Sequence, residues 1–173
     1  MRTHFECAAV FVLFVVENSW LGENAWPSYR ARPMTRAVLD TNVILAALLS
    51  RRGAAFEILE RLRRGEWRLV LSNHLLLEYE EVLKRNAAVL ALTHEEVDRF
   101  LNAICQAADC FQLPAPQPPR LPDADDEPLL RLAEASGARL ITTHNLRHLR
   151  PAAAHGVAVL PPREFLRILS AQP

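Results

Sequence analysis

From Thr35 onward, short apolar runs alternate with longer stretches of helical period. Arg36–Asp40 reads as a buried strand, because Ala37, Val38 and Leu39 follow one another without a polar break. Thr41–Leu49 has Ile44, Leu45 and Leu48 at helical spacing. Arg51-Arg52-Gly53 interrupts the pattern. Ala54–Arg64 resumes it with Phe56, Ile58, Leu59 and Leu62, and Gly65 ends it. Trp67–Leu71 predicts a second strand. Ser72 is an N-cap residue for a helix over Asn73–Lys84. Thr93 and Glu96 have the spacing of a capping box, ahead of a helix with Val97, Phe100, Leu101 and Ile104 on its apolar side.

The second half repeats the alternation. Asp109–Leu113 reads as a strand. Pro114, Pro116, Pro118 and Pro119 then remove donors and fix φ, so Pro114–Pro122 predicts a surface loop. A helix starts at Asp125 or Asp126 and runs to Ser136, with Gly137 as its stop. Arg139–Thr142 and Val157–Leu160 read as strands. Pro161-Pro162 opens a last helix with Phe165, Leu166 and Ile168. No internal repeat is visible. Strands alternating with helices imply an α/β fold with a mainly parallel sheet. Ligands bind such sheets beyond the carboxyl ends of the strands. Asp40 and the Thr143–Asn145 segment both fall there.

Residues 1–33 break this pattern and are expected to be an extension outside the fold, which occupies residues 34–170. Phe5–Val16 is mostly apolar, but it is interrupted by Glu6 and too short to span a membrane. Two readings stand: upstream sequence before a start at Met34, or a short secretory or membrane-associating segment without a clear cleavage site.

Composition narrows the function classes. Half of the 173 residues are hydrophobic, as in an ordinary globular domain. Lys+Arg and Asp+Glu are both 20, so the chain lacks the overall basic character of many nucleic-acid binders. Lys84 is the single lysine, leaving 19 arginines. That skew has a genomic explanation in GC-rich coding and a chemical one in the donor fork that Arg offers phosphates. Cys7, Cys105 and Cys110 have no metal-binding spacing, and an odd count does not build a disulfide framework. A reducing, cytoplasmic location fits.

Candidate chemistry lies in the acidic residues. Asp40 closes the first strand. Glu78 sits within Leu75-Leu76-Leu77-Glu78-Tyr79, on the helical face of Leu75 and Val82. Asp123 and Asp126 precede Leu129-Leu130, and Asn145 follows Leu140-Ile141-Thr142-Thr143. Carboxylates set against apolar elements are costly unless paired. If these elements converge, a hard divalent cation with oxygen ligands is the natural partner. Taken singly, Asp40 and Asp126 have the alternative of helix N-caps, Glu78 of a solvated helix residue, and Asp125 of a favourable charge at a helix start.

In order and spacing, these motifs resemble the PIN-domain family, and within it the toxin-like nucleases of VapC type, over about Met34 to Ser170. Leu39-Asp40-Thr41-Asn42 resembles the first motif, Glu78 the helical acid, Asp123-Ala124-Asp125-Asp126 the third motif, and Thr142-Thr143-His144-Asn145 the fourth. The resemblance implies a PIN-like three-layer sandwich and a ribonuclease using Mg²⁺ or Mn²⁺. It assigns Asp40, Glu78 and Asp126 as the catalytic, metal-holding core. Asp123 and Asn145 are further ligands, with Asn42 and Thr143 in support. It also implies an RNA substrate, a small antitoxin partner and homodimerisation, with no membrane. Many members carry Asp where this chain has Asn145, which puts a second metal in question and leaves open a silent domain that only binds RNA or protein. Haloacid-dehalogenase phosphatases also begin with a strand ending in Asp, but they want an acid where Asn42 stands. Arg51, Arg52, Arg147 and Arg150 are candidate phosphate contacts. His144 is a candidate substrate contact, and His148 and His155 read as structural or surface residues.

Overall fold

The computed structural model of the protein describes residues 34–171, apart from 114, 116 and 117. The expected extension over residues 1–33 and part of the proline loop therefore lie outside the described residues. The elements are β1 (Arg36–Leu39), α1 (Thr41–Leu49), α2 (Ala54–Arg63), β2 (Arg68–Leu71), α3 (Asn73–Arg85), α4 (Ala87–Leu90), α5 (His94–Ala107) and β3 (Ala108–Cys110). After a 3₁₀ turn over Ala124–Asp126 come α6 (Glu127–Ser136), β4 (Leu140–Thr142) and α7 (Leu146–Leu149). A second 3₁₀ stretch over Arg150–His155 leads to β5 (Ala158–Leu160) and α8 (Pro162–Ser170).

The five strands form one parallel sheet in the order β3-β2-β1-β4-β5, flanked by the helices. The chain moves outward from β1 to β2 and β3, then returns to lay β4 and β5 on the other side. β1 and β4 therefore meet at the point where the winding reverses, the place where ligands bind in sheets of this kind. Val38 pairs with Ile141 and Leu39 with Thr142, so Asp40 and Thr143 are the next residues off the two central strands.

Both strands are almost wholly buried, which explains their unbroken apolar runs. Helix α6 packs across β1, β2 and β4, while α3 touches α1, α5 and α6. Trp67, Tyr79, Phe100 and Phe165 are the largest fully buried side chains. Trp67 donates its indole N–H to Ile58 O at 2.9 Å and meets Phe165 edge-on at 5.1 Å, tying α2 to α8. Lys84 on α3 bonds both Glu80 and, across to α5, Asp98, each at 2.7 Å.

The local signals act as expected. Ser72 accepts from Leu75 N–H, the capping box of Thr93 and Glu96 is closed in both directions, and Gly137 ends α6 at φ 70°. Each of the five strands is shorter than the sequence predicts, β3 by the most. β3 stops at Cys110 because its partner β2 ends at Leu71, where Ser72 turns into α3. β4 starts at Leu140 because Arg139 takes a left-handed φ of 52°. The short helix α4 and the helical stretch from Leu146 to His155 have no counterpart in the sequence reading.

Candidate functional site

The site begins with how β1 hands over to α1. Asp40 is the N-cap of α1: its Oδ1 accepts from Asn42 N–H at 3.3 Å. Its other oxygen, Oδ2, accepts from Asn42 Nδ2 at 2.6 Å and from the Thr143 hydroxyl at 2.5 Å. Asn42 then reaches across the strand ends, with Oδ1 accepting from His144 N–H at 3.1 Å. Thr143 Oγ1 also accepts from Asn145 N–H at 2.8 Å. Asp40 is 8 % exposed, and charge-assisted bonds of this kind are the stronger class. Asn42 and Thr143 thus hold Asp40 in one orientation. The capping reading and the site reading of Asp40 are compatible.

Two neighbours on α3 dock it to the same corner. Tyr79 is fully buried and donates its hydroxyl to Leu39 O, the last carbonyl of β1, at 2.5 Å. Burial drives its phenol well above the usual range. Glu78, half-buried, accepts from the Thr41 hydroxyl at 2.5 Å. Burial raises the Glu78 carboxyl; the Thr41 bond and His74 oppose that, and the charges of Asp40 and Asp125 add to it.

The third side is the turn before α6. Asp123 accepts through Oδ1 from Asp125 N–H at 3.1 Å, so Asp123 rather than Asp125 caps the 3₁₀ turn. Asp126 occupies the N-cap position of α6 yet makes no capping bond. Its Oδ2 is buried without a hydrogen-bond partner. Its pKa is pushed up to about 6, first by burial and then by the charges of Asp40 and Asp123, with a smaller contribution from Glu78. A buried oxygen without a hydrogen-bond partner, among three like charges, suits a cation as its partner. The residues therefore fit a divalent metal, and carboxylate oxygens suit Mg²⁺ or Mn²⁺.

The expected residues converge unequally. Asp40, Glu78, Asp123 and Asp126 act on one another electrostatically at the carboxyl end of the sheet. Among the described residues, the tight donor group is Asp123, Asp126 and His148, with ligand atoms within 4.8 Å of one another. Asn145 is brought to the same loop as the N-cap residue of α7, where its backbone N–H serves Thr143. His148, read as structural or surface, is exposed, and its Nδ1 lies 3.6 Å from Asp123 Oδ2 and 3.8 Å from Asp126 Oδ2. No signal in the sequence marks it, because α7 has no cap motif. Glu127 is a second omission. This buried carboxylate accepts the N–H groups of Arg120 and Leu121, and the Arg120 guanidinium bonds Glu134 at 2.9 Å. The exit of the proline loop is thereby fixed just before Asp123.

The family model for the PIN domain matches residues 36–147, well over half of the chain. The chain belongs to the PIN domain family. The match spans Asp40, Glu78, Asp123, Asp126 and Asn145 and stops one residue before His148. A search of the curated proteins finds no match. PIN domains are typically metal-dependent nucleases, so membership points to nuclease chemistry at the acidic corner. It also disfavours the haloacid-dehalogenase alternative, as does Asn42, which serves Asp40 as a donor. Among the described residues, no helix is long and apolar enough to cross a membrane.

Proposed function

We propose that this PIN domain is an endoribonuclease that hydrolyses RNA phosphodiesters with Mg²⁺ or Mn²⁺, held by Asp40, Glu78 and Asp126 with Asp123 beside them. The observation that carries this is the buried, unpartnered Oδ2 of Asp126, its carboxyl pushed up to about 6 beside other acids. The bound metal would activate water and neutralise charge on the phosphate oxygens. The chain's own residues prepare for that. Asn42 and Thr143 fix the Asp40 carboxylate, Thr41 holds one oxygen of Glu78, and the clamp at Glu127 sets the turn that presents Asp126. Such pre-set positioning means little reorganisation is needed when substrate arrives.

Exposed Arg147 and Arg150 flank His148 on the segment beyond β4, and Arg51 and Arg52 lie past α1. They are the candidate phosphate contacts, and their contribution would weaken with salt. The finer reading is the toxin half of a toxin–antitoxin pair, held by a small antitoxin and acting as a homodimer. It is supported by the resemblance of the motifs to VapC-type nucleases. A cytoplasmic location is supported by Cys105 and Cys110, both free thiols. Asn145 contributes no charge, so one metal is favoured over two at the Asp40 side.

The test is cleavage of labelled RNA by the full chain with each metal, compared with Asp40→Asn and Asp126→Asn. Cleavage that needs metal and is lost in both variants is expected. Equal cleavage by all three proteins overturns the assignment. Metal-dependent RNA binding without cleavage would favour the silent-domain reading left open by Asn145.

A further inference from the structure

The proposed nuclease site uses acidic residues, but the close donor group found among the described residues includes a histidine. We infer that His148 is a metal ligand: its Nδ1 joins Asp123 and Asp126 in a mixed nitrogen–oxygen site that takes a first-row transition cation such as Mn²⁺ in preference to Mg²⁺. This deepens the nuclease reading and rests on it for the role of the ion.

Three observations carry the inference. First, the separations are those of ligands rather than of bonded partners. Nδ1 stands 3.6 Å from Asp123 Oδ2 and 3.8 Å from Asp126 Oδ2, beyond hydrogen-bond reach. Donors about 2.1 Å from one cation lie about 3.0–3.5 Å apart, so only a slight contraction brings these three onto an ion. Second, the oxygens are free for the task. Asp126 Oδ2 is buried with no hydrogen-bond partner, and Asp123 spends its other oxygen, Oδ1, on Asp125 N–H. Third, both sides are held in place. Asp123 and Asp126 border one 3₁₀ turn behind the Glu127 clamp, while α7 is anchored by fully buried Leu149 and packs on β5. The His148 side chain remains 46 % exposed, so an ion can reach it from solvent.

Donor chemistry sets the preference. Carboxylates accept hard ions and later ones alike, whereas imidazole favours the later first-row metals over Mg²⁺.

The test titrates the full-length protein with Mn²⁺, following free ion by electron paramagnetic resonance and nitrogen coupling by spin-echo modulation. Wild type is expected to show a coordinated imidazole nitrogen. His148→Gln should lose that coupling and weaken Mn²⁺ by about tenfold or more, since even outer-shell partners of metal sites are worth that much. Mg²⁺, measured by competition, should weaken far less. His148→Asp should restore binding and shift the preference toward Mg²⁺, which also shows that position 148 tolerates substitution. His144→Gln should leave the Mn²⁺ affinity and the nitrogen coupling unchanged. A wild-type spectrum without nitrogen coupling, or coupling that survives His148→Gln, overturns the inference and leaves a plain histidine–carboxylate ion pair. Nitrogen coupling without RNA cleavage sinks the nuclease reading and keeps the site. Cleavage without coupling does the reverse.

Discussion

The two acidic corners of the site are built on opposite plans. Around Asp40 every hydrogen bond is made: Asn42 and Thr143 serve both oxygens, and the Tyr79 hydroxyl closes the adjacent Leu39 carbonyl. Around Asp126 the bonds are withheld. The residue takes a cap position without capping, keeps one buried oxygen bare, and has a pKa near that of histidine. The first corner is finished by folding alone. The second is left unfinished, at a cost that eases below about pH 6, where the carboxyl takes up a proton. Folding alone thus orients the Asp40 carboxylate, whereas Asp126 keeps an oxygen free for an ion.

The largest effect that would break this contrast is on cleavage. Asp126→Asn is expected to reduce metal-dependent RNA hydrolysis by about 10²-fold or more, as for loss of one transition-state contact. A variant within a few-fold of wild type would show that the bare oxygen has no role. Next comes the ion itself. At 100 times its dissociation constant, Mn²⁺ should stabilise the protein by about 2.7 kcal/mol. In a thermal melt that gain should largely vanish in Asp126→Asn, and an undiminished gain places the ion elsewhere.

The finished corner is tested by Tyr79→Phe. It strands a buried carbonyl at the end of β1, at a cost of about 1–3 kcal/mol read from urea unfolding. A neutral result would mean that α3 does not depend on this bond.

The smallest effect concerns pH in metal-free protein. The Asp126 carboxyl titrates near 6 in the folded state and lower when unfolded, so the folded chain holds the extra proton between about pH 4 and 6. That source of stability is present at low pH and is lost as pH rises through 6. Asp126→Asn should therefore compare more favourably with wild type at pH 7 than at pH 4, by a few degrees in Tm. The same difference at both values would count against a raised pKa.

Much of the fold could be read from the chain, because burial on both faces makes β1 and β4 continuous apolar runs and because Ser72, Thr93 and Gly137 have strong local roles. The acids of the site were legible for a similar reason, as charged residues at the ends of apolar elements. What could not be read depends on contacts far apart in sequence. Asn42 is legible as a supporting residue, but the bonds that join it to Thr143 and His144 come from more than 100 positions away. His148 sits on a single helical turn without a cap motif, and Glu127 looks like one more acid at a helix start. Arg139 defeats the strand prediction because nothing in its side chain announces a left-handed backbone.

The bond from Thr143 to Asp40 spans 103 residues. Contacts of that range form late, since the intervening chain must be gathered first. During synthesis, Asp40 leaves the ribosome long before the strand that will orient it. Until Thr143 emerges, the chain thus carries Asp40 without one of the donors that orient it. On the ribonuclease reading proposed above, competence would be acquired only when β4, the last central strand, is laid down.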